Sequence, residues 1–129
     1  MTVKLPCAAT RAALNEDPEF LINARLWNVG MKLRVGEQAY LVQIEDGKVA
    51  RFTDEPDQFD TWTISIGGPE DGWEKLLEPV PPPFYQDFFG AFFRHDFEMG
   101  GDLASLYASY GAVRRLLEVL RETHNLQEA

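Results

Sequence analysis

The stretch HDFEMGGDLASLYASYGAVRRLL, His95 to Leu117, changes period at a glycine pair. Ahead of Gly100 and Gly101, alternation from Phe93 puts Phe93, His95, Phe97 and Met99 on one face of an extended segment, as a half-buried strand requires. Beyond them, Leu103, Leu106, Tyr107, Tyr110, Val113, Leu117 and Leu120 recur at three and four. That spacing predicts one amphipathic helix over 103–120. Asp102 stands at the N-cap position, where its carboxylate accepts from first-turn amides for about 1 kcal/mol. The glycines permit the sharp exit from strand to helix. A glycine pair before a helix can also cradle a phosphate. This one lacks the lysine and spacing of a P-loop and the third glycine of a dinucleotide fingerprint, so it reads as a hinge.

Upstream, the segment to residue 25 reads as helix, with Asp17-Pro18 marking a break or a second helix start because proline is accepted at a first helical position but not inside. WNVGMKLRV then alternates, with Trp27, Val29, Met31, Leu33 and Val35 on one face. Gly36-Glu37 turns the chain into AYLVQIE, where Tyr40, Val42 and Ile44 share a face and Leu41 breaks the period. Asp46-Gly47 is a hairpin turn signal leading to a third strand at 49–53. TWTISI is a fourth strand with Trp62, Ile64 and Ile66 on one side, and FRHDFEM is the fifth. Between them PEDGWEKLLE reads as a short helix with proline and acids in its first turn. Pro79 and Pro81 to Pro83 force a stiff, irregular connection, and FYQDFFGAFF is helical for a turn or two.

Composition narrows the function. The chain has 129 residues, enough for one domain (1–129) with its own core. Its net charge of −9, from 21 acidic and 12 basic residues without a basic run, leaves no footprint for nucleic acid or anionic lipid surfaces. Cys7 is the sole cysteine, which rules out an internal disulfide and a thiolate metal cluster and suits a reducing compartment. No apolar run reaches the length of a signal peptide or a membrane span, so a soluble, cytoplasmic protein is expected.

The candidate reactive groups read mostly as structural. His95 falls among apolar neighbours, as a hydrogen-bonded core residue, a polar anchor in a cavity, or a general base if a substrate reaches it. Cys7 reads as a small buried hydrophobe. Asp54, Glu55, Asp57 and Asp60 lack calcium-loop spacing and read as a solvated turn. No metal or cofactor is expected. The remaining signal is aromatic mass: Phe84, Phe88, Phe89, Phe92, Phe93 and Phe97 with Tyr85, Tyr107 and Tyr110. FYQDFFGAFF is apolar on more than one side, so something beyond an ordinary core packs there, a ligand or a second subunit.

The order of these pieces, meander strands, then TWTISIGGPEDGWEKLLE, then FEMGGD running into an amphipathic helix, resembles the sterol carrier protein 2 family from about Leu26 to Leu120. The resemblance implies an α+β domain with a five-stranded, largely antiparallel sheet covered on one face by helices. It also implies a tunnel between them for a sterol, fatty acid or acyl-CoA-like lipid, in a carrier rather than an enzyme. The lining expected here is Trp27, Val29, Met31, Trp62, Ile64, Phe88, Phe89, Phe92, Phe93, Phe97, Leu106, Tyr107 and Tyr110, with His95 as polar contact. The segment Pro79 to Phe93 is longer and more aromatic than the family's usual link. Two rival readings are an interaction module that dimerises through residues 84–93, its cavity filled by side chains, and a small enzyme using His95.

Overall fold

A computed structural model describes residues 3–86 and 88–128; the side chains of residues 93, 94 and 128 lie outside that description. Two helices come first, α1 (Cys7–Asn15) and α2 (Pro18–Asn23). Pro18 occupies the first turn of α2, and the Asp17 carboxylate accepts from the Phe20 amide at 2.8 Å, so the predicted break is a capped helix start.

The meander is β1 (Val29–Val35), β2 (Gln38–Glu45) and β3 (Lys48–Thr53), paired antiparallel with Met31 opposite Val42 and Val42 opposite Phe52. Asp46 and Gly47 both take positive φ, 50° and 79°, the geometry that matches a two-residue turn to strand twist. β4 (Ile64–Gly68) pairs in parallel with β1 and antiparallel with β5 (Glu98–Gly101), giving the order β3-β2-β1-β4-β5. The sheet is therefore mixed but mostly antiparallel, and the fold class is α+β. Met31, Leu33, Val42, Ile44, Ile64 and Ile66 form one apolar face. It shares a core with Leu14 of α1, Phe20 of α2, Trp73 of α3 (Glu70–Leu76) and Leu116 and Leu120 of α6 (Tyr110–Glu128).

To reach β4 from the edge strand β3, the chain has to cross β2 and β1. It does so over the opposite face of the sheet. Thr61 and Trp62 lie so close to Gly30 that a Cβ there would meet the Thr61 carbonyl oxygen at 2.7 Å. Trp62 is thus outside β4 and 46% exposed, not on the core side with Ile64 and Ile66 as alternation predicted. The same crossing explains Leu41. Its outward side chain is 2% exposed because the 54–63 connection roofs it.

Two elements differ from expectation. The predicted fifth strand is shortened: α4 (Phe88–Arg94) runs through Phe93 and ends with the His95 amide on the Ala91 carbonyl at 2.8 Å. FFGAFF has no polar alternation to hold it extended, so helix propagates to Arg94, and only Glu98 to Gly101 reach β4. The single helix over 103–120 is two, α5 (Leu103–Ala108) and α6, separated at Ser109. The predicted cap holds: Asp102 Oδ1 accepts from the Ser105 amide at 3.2 Å.

Candidate functional site

The aromatic residues after the prolines form a continuous layer between sheet and helices. Phe97, from the bend before β5, packs its ring 5.5 Å from Trp73 and edge-on to Phe88 at 5.9 Å. Phe88 continues to Phe92 at 6.5 Å and Phe89 at 6.4 Å, and Phe89 lies 4.0 Å from Tyr110 and stacks on Tyr107 at 5.6 Å. The Tyr110 hydroxyl accepts from the Phe89 amide at 3.2 Å, fixing α4 to the start of α6. Leu106 is fully buried beside this layer. Its outer edge is open: Phe84 is 47% exposed, Tyr107 52% and Leu103 39%.

Of the predicted lining, Val29, Met31, Ile64, Phe88, Phe97 and Leu106 are buried in one core, with Phe89, Phe92 and Tyr110 packed against it. Tyr107 is at the rim, and the Phe93 side chain lies outside the described residues. Trp62 does not join them. His95 is displaced from the strand face to a bend, where its ring stacks 3.8 Å from Tyr85 and its Nε2 lies 3.4 Å from the Pro83 carbonyl. Among the described residues, Trp27 Nε1 is a buried polar atom of the core with no hydrogen-bond partner. By contrast Trp73 Nε1 donates to the Arg34 carbonyl at 2.9 Å.

Sequence reading passed over Arg121. It sits one turn past Leu117 in the apolar stripe of α6 and donates to the carbonyls of Leu76 (2.8 Å), Tyr85 (3.2 Å) and Gln86 (3.3 Å). Burial pulls its pKa down, against the raising effect of Glu118 and Glu122. This cation ties the segment around the prolines to α6 and so sets where α4 begins. The signal was a charged residue at an apolar position of the stripe.

A concavity lies under the crossing segment, with a volume of about 390 Å³. Leu41 and Ala39 form its floor, Lys32 one side, and Pro56 to Asp60 with Trp62 the roof. The Lys32 ammonium stands 5.5 Å from the Trp62 ring centre. The Arg51 hydrogen bond holds the Asp60 carboxyl below its usual range, and the Asp57 amide assists. Cys7 faces neither site, and burial, then Asp54, pushes its thiol up to about 11. Among the described residues no three His, Cys, Asp or Glu side chains stand together as metal ligands, and no helix is long and apolar enough to cross a membrane.

The class this fold defines is the sterol carrier protein 2 fold. The chain is similar to a crystal structure of sterol carrier protein 2, with a TM-score of 0.70 and 20% identity over 90% of this chain and 93% of that one. It is similar to a conserved hypothetical protein of Thermus thermophilus, with a TM-score of 0.69 and 20% identity over 95% of this chain and 90% of that one. Sterol carrier protein 2 from Yarrowia lipolytica, in its apo form, superimposes with a TM-score of 0.53 at 10% identity, over 94% of this chain and 98% of that one. No protein-family model and no curated protein sequence matches the chain. The resemblance read from the sequence order is thus met at the level of fold.

Proposed function

We propose that this chain is a non-catalytic, cytoplasmic, single-domain carrier of an apolar small molecule, a sterol, fatty acid or acyl-CoA-like lipid. The guest enters between the inner face of the sheet and the helices α4 to α6. The observation that carries the reading is the ring layer itself. It is held by helices of seven and six residues, too short to be stable alone, and its edge is left open at Phe84, Leu103 and Tyr107. The fold shared with sterol carrier protein 2 supports the same reading.

Magnitudes set the expected strength. A sixteen-carbon chain burying roughly 400 Å² gains about 10 kcal/mol at ~25 cal/mol per Å². Displacing two packed rings costs about 3–6 kcal/mol of that. What remains, about 4–7 kcal/mol, corresponds to dissociation constants from roughly millimolar to about ten micromolar. The polar end of the guest is assigned to the Trp27 indole N–H, with His95 at the rim. Native mass spectrometry of the purified protein, followed by organic extraction, should reveal a co-purified lipid. A protein that emerges empty and fails to bind palmitate or cholesterol from solution would end the carrier reading.

The rings also satisfy one another, which favours a second reading, a dimer sealed through residues 84–93. Sedimentation of the lipid-free protein separates the two, since a carrier without a partner stays monomeric.

A further inference from the structure

The cleft on the other face of the sheet is unrelated to the ring layer, and its chemistry differs. Its floor is apolar because Leu41, at an outward position of β2, is shut from solvent by the crossing segment rather than by a helix. Its roof is braced from within. The Asp60 Oδ1 accepts from Arg51 Nη1 at 2.8 Å and its Oδ2 from the Asp57 amide at 2.6 Å. Asp57 Oδ1 accepts from the Phe59 amide at 3.0 Å. Gln38 Nε2 holds the start of the segment through the Asp54 carbonyl at 2.8 Å. The cleft is therefore preformed, and the Asp60 carboxylate, with both oxygens engaged, is part of the wall.

Lys32 is the group left over. Among the described residues no carboxylate oxygen lies within ion-pair distance of its ammonium, which stands against the face of Trp62. Its neighbour on the strand face, Arg34, is by contrast bound to Glu98. A cation on an indole face, above an apolar floor in about 390 Å³, lies within the size range of small-molecule sites.

We propose that this cleft binds a flat aromatic monoacid, its ring against Trp62 and Ala39 and its single acid group on the Lys32 ammonium. A second cation would be repelled by Lys32. A polyanion such as a nucleotide triphosphate would meet Asp57 and Asp60 in the same space, with one ammonium to offset them. One negative charge on a fused-ring body suits the lining.

Naphthoate is the probe, with naphthamide as its uncharged counterpart, followed by nitrogen-15 NMR of the amides of 57–62 and the indole signal of Trp62, the latter assigned with Trp62→Phe. Naphthoate should shift these signals saturably. Lys32→Met, which keeps the apolar stem, should weaken naphthoate by about fivefold, the order expected of an exposed charge pair, and leave naphthamide unchanged. The inference is overturned if the signals of 57–62 do not move up to about 5 mM probe, the weak limit for a site of this size. Equal naphthoate affinity in Lys32→Met overturns it too, as do shifts confined to Phe88, Phe89 and Tyr110. A failure here leaves the lipid reading intact, because palmitate and naphthoate report on opposite faces of the sheet.

Discussion

Trp27 and Trp73 are both buried indoles of one core, yet they differ in a single hydrogen bond. Removing the Trp73 indole N–H takes one hydrogen bond from the Arg34 carbonyl, whereas Trp27 Nε1 is unpaired already and its loss removes a desolvated donor. Both phenylalanine substitutions lose similar ring volume. Urea denaturation should therefore find Trp73→Phe less stable than Trp27→Phe by about 1–2 kcal/mol; equal losses would show that the Trp27 donor is satisfied in solution. The same pair bears on the carrier reading. A guest oxygen that engages Trp27 would move its indole proton signal and leave that of Trp73 in place. A sterol hydroxyl or an acyl carbonyl suits this lone N–H donor in apolar surroundings, whereas the carboxylate of a free fatty acid needs more partners and belongs at the rim beside His95.

Among the elements, the β5 to α5 corner rests on Gly101. Its φ is 81°, and a Cβ would fall 2.1 Å from the Thr63 carbonyl oxygen, which itself accepts from the Asp102 amide at 2.8 Å. Gly101→Ala must shift that backbone and is expected to cost more than about 2 kcal/mol, read as a lowered urea midpoint with the slope unchanged. The α2 to α6 contact is ionic. Arg115 grips Asp17 through Nη2 to Oδ1 at 2.8 Å and Nε to Oδ2 at 2.9 Å, while Asp17 also caps α2. The Arg115 hydrogen bonds, opposed by burial and aided by the Phe20 amide, hold the Asp17 carboxyl below its ordinary 3.8. The folded pKa being the lower one, the unfolded chain takes up the proton first as pH falls. The stabilisation is complete above the unfolded value and drains away as pH drops through the folded one. Asp17→Asn should lower stability at neutral pH by about 1–2 kcal/mol and flatten the stability profile below about pH 4. An acid limb as steep as that of the parent would contradict this.

Across the whole molecule, the sheet divides two kinds of packing. On the inner side the strands and α6 share fully buried aliphatic residues, while α4 attaches through rings and α5 through Leu106, beside the exposed Tyr107 and Leu103. Hydrogen exchange should follow that division, with the amides of α4 and α5 exchanging at least about tenfold faster than those of β1, β2 and α6, because short helices with few buried neighbours open locally. Bound lipid should slow α4 and α5 selectively. Arg121, holding three backbone carbonyls ahead of α4, keeps that opening from spreading into α3.

Much of this architecture was legible in one dimension. The period-two runs at 29–35 and 64–66, the Asp46-Gly47 turn, the capped starts at Asp17 and Asp102, and the short helix after Pro69 depend on local geometry, which neighbouring residues alone decide. The break at Leu41 was visible as well, but its meaning was not, because the roof over it comes from residues fifteen or more positions downstream. Trp62 and His95 went to other faces than alternation predicts for the same reason. A side chain follows strand parity only where its backbone is paired, and pairing ends where the chain must cross the sheet or where a helix claims the residues first. The sequence by itself determined most of the helix, strand and turn, since those rest on contacts a few residues apart, but not the helix that claims Phe93 or the break at Ser109. Only the tertiary structure decided which face each connection crosses, and therefore that this small sheet has an aromatic layer on one side and a cation beside an indole on the other.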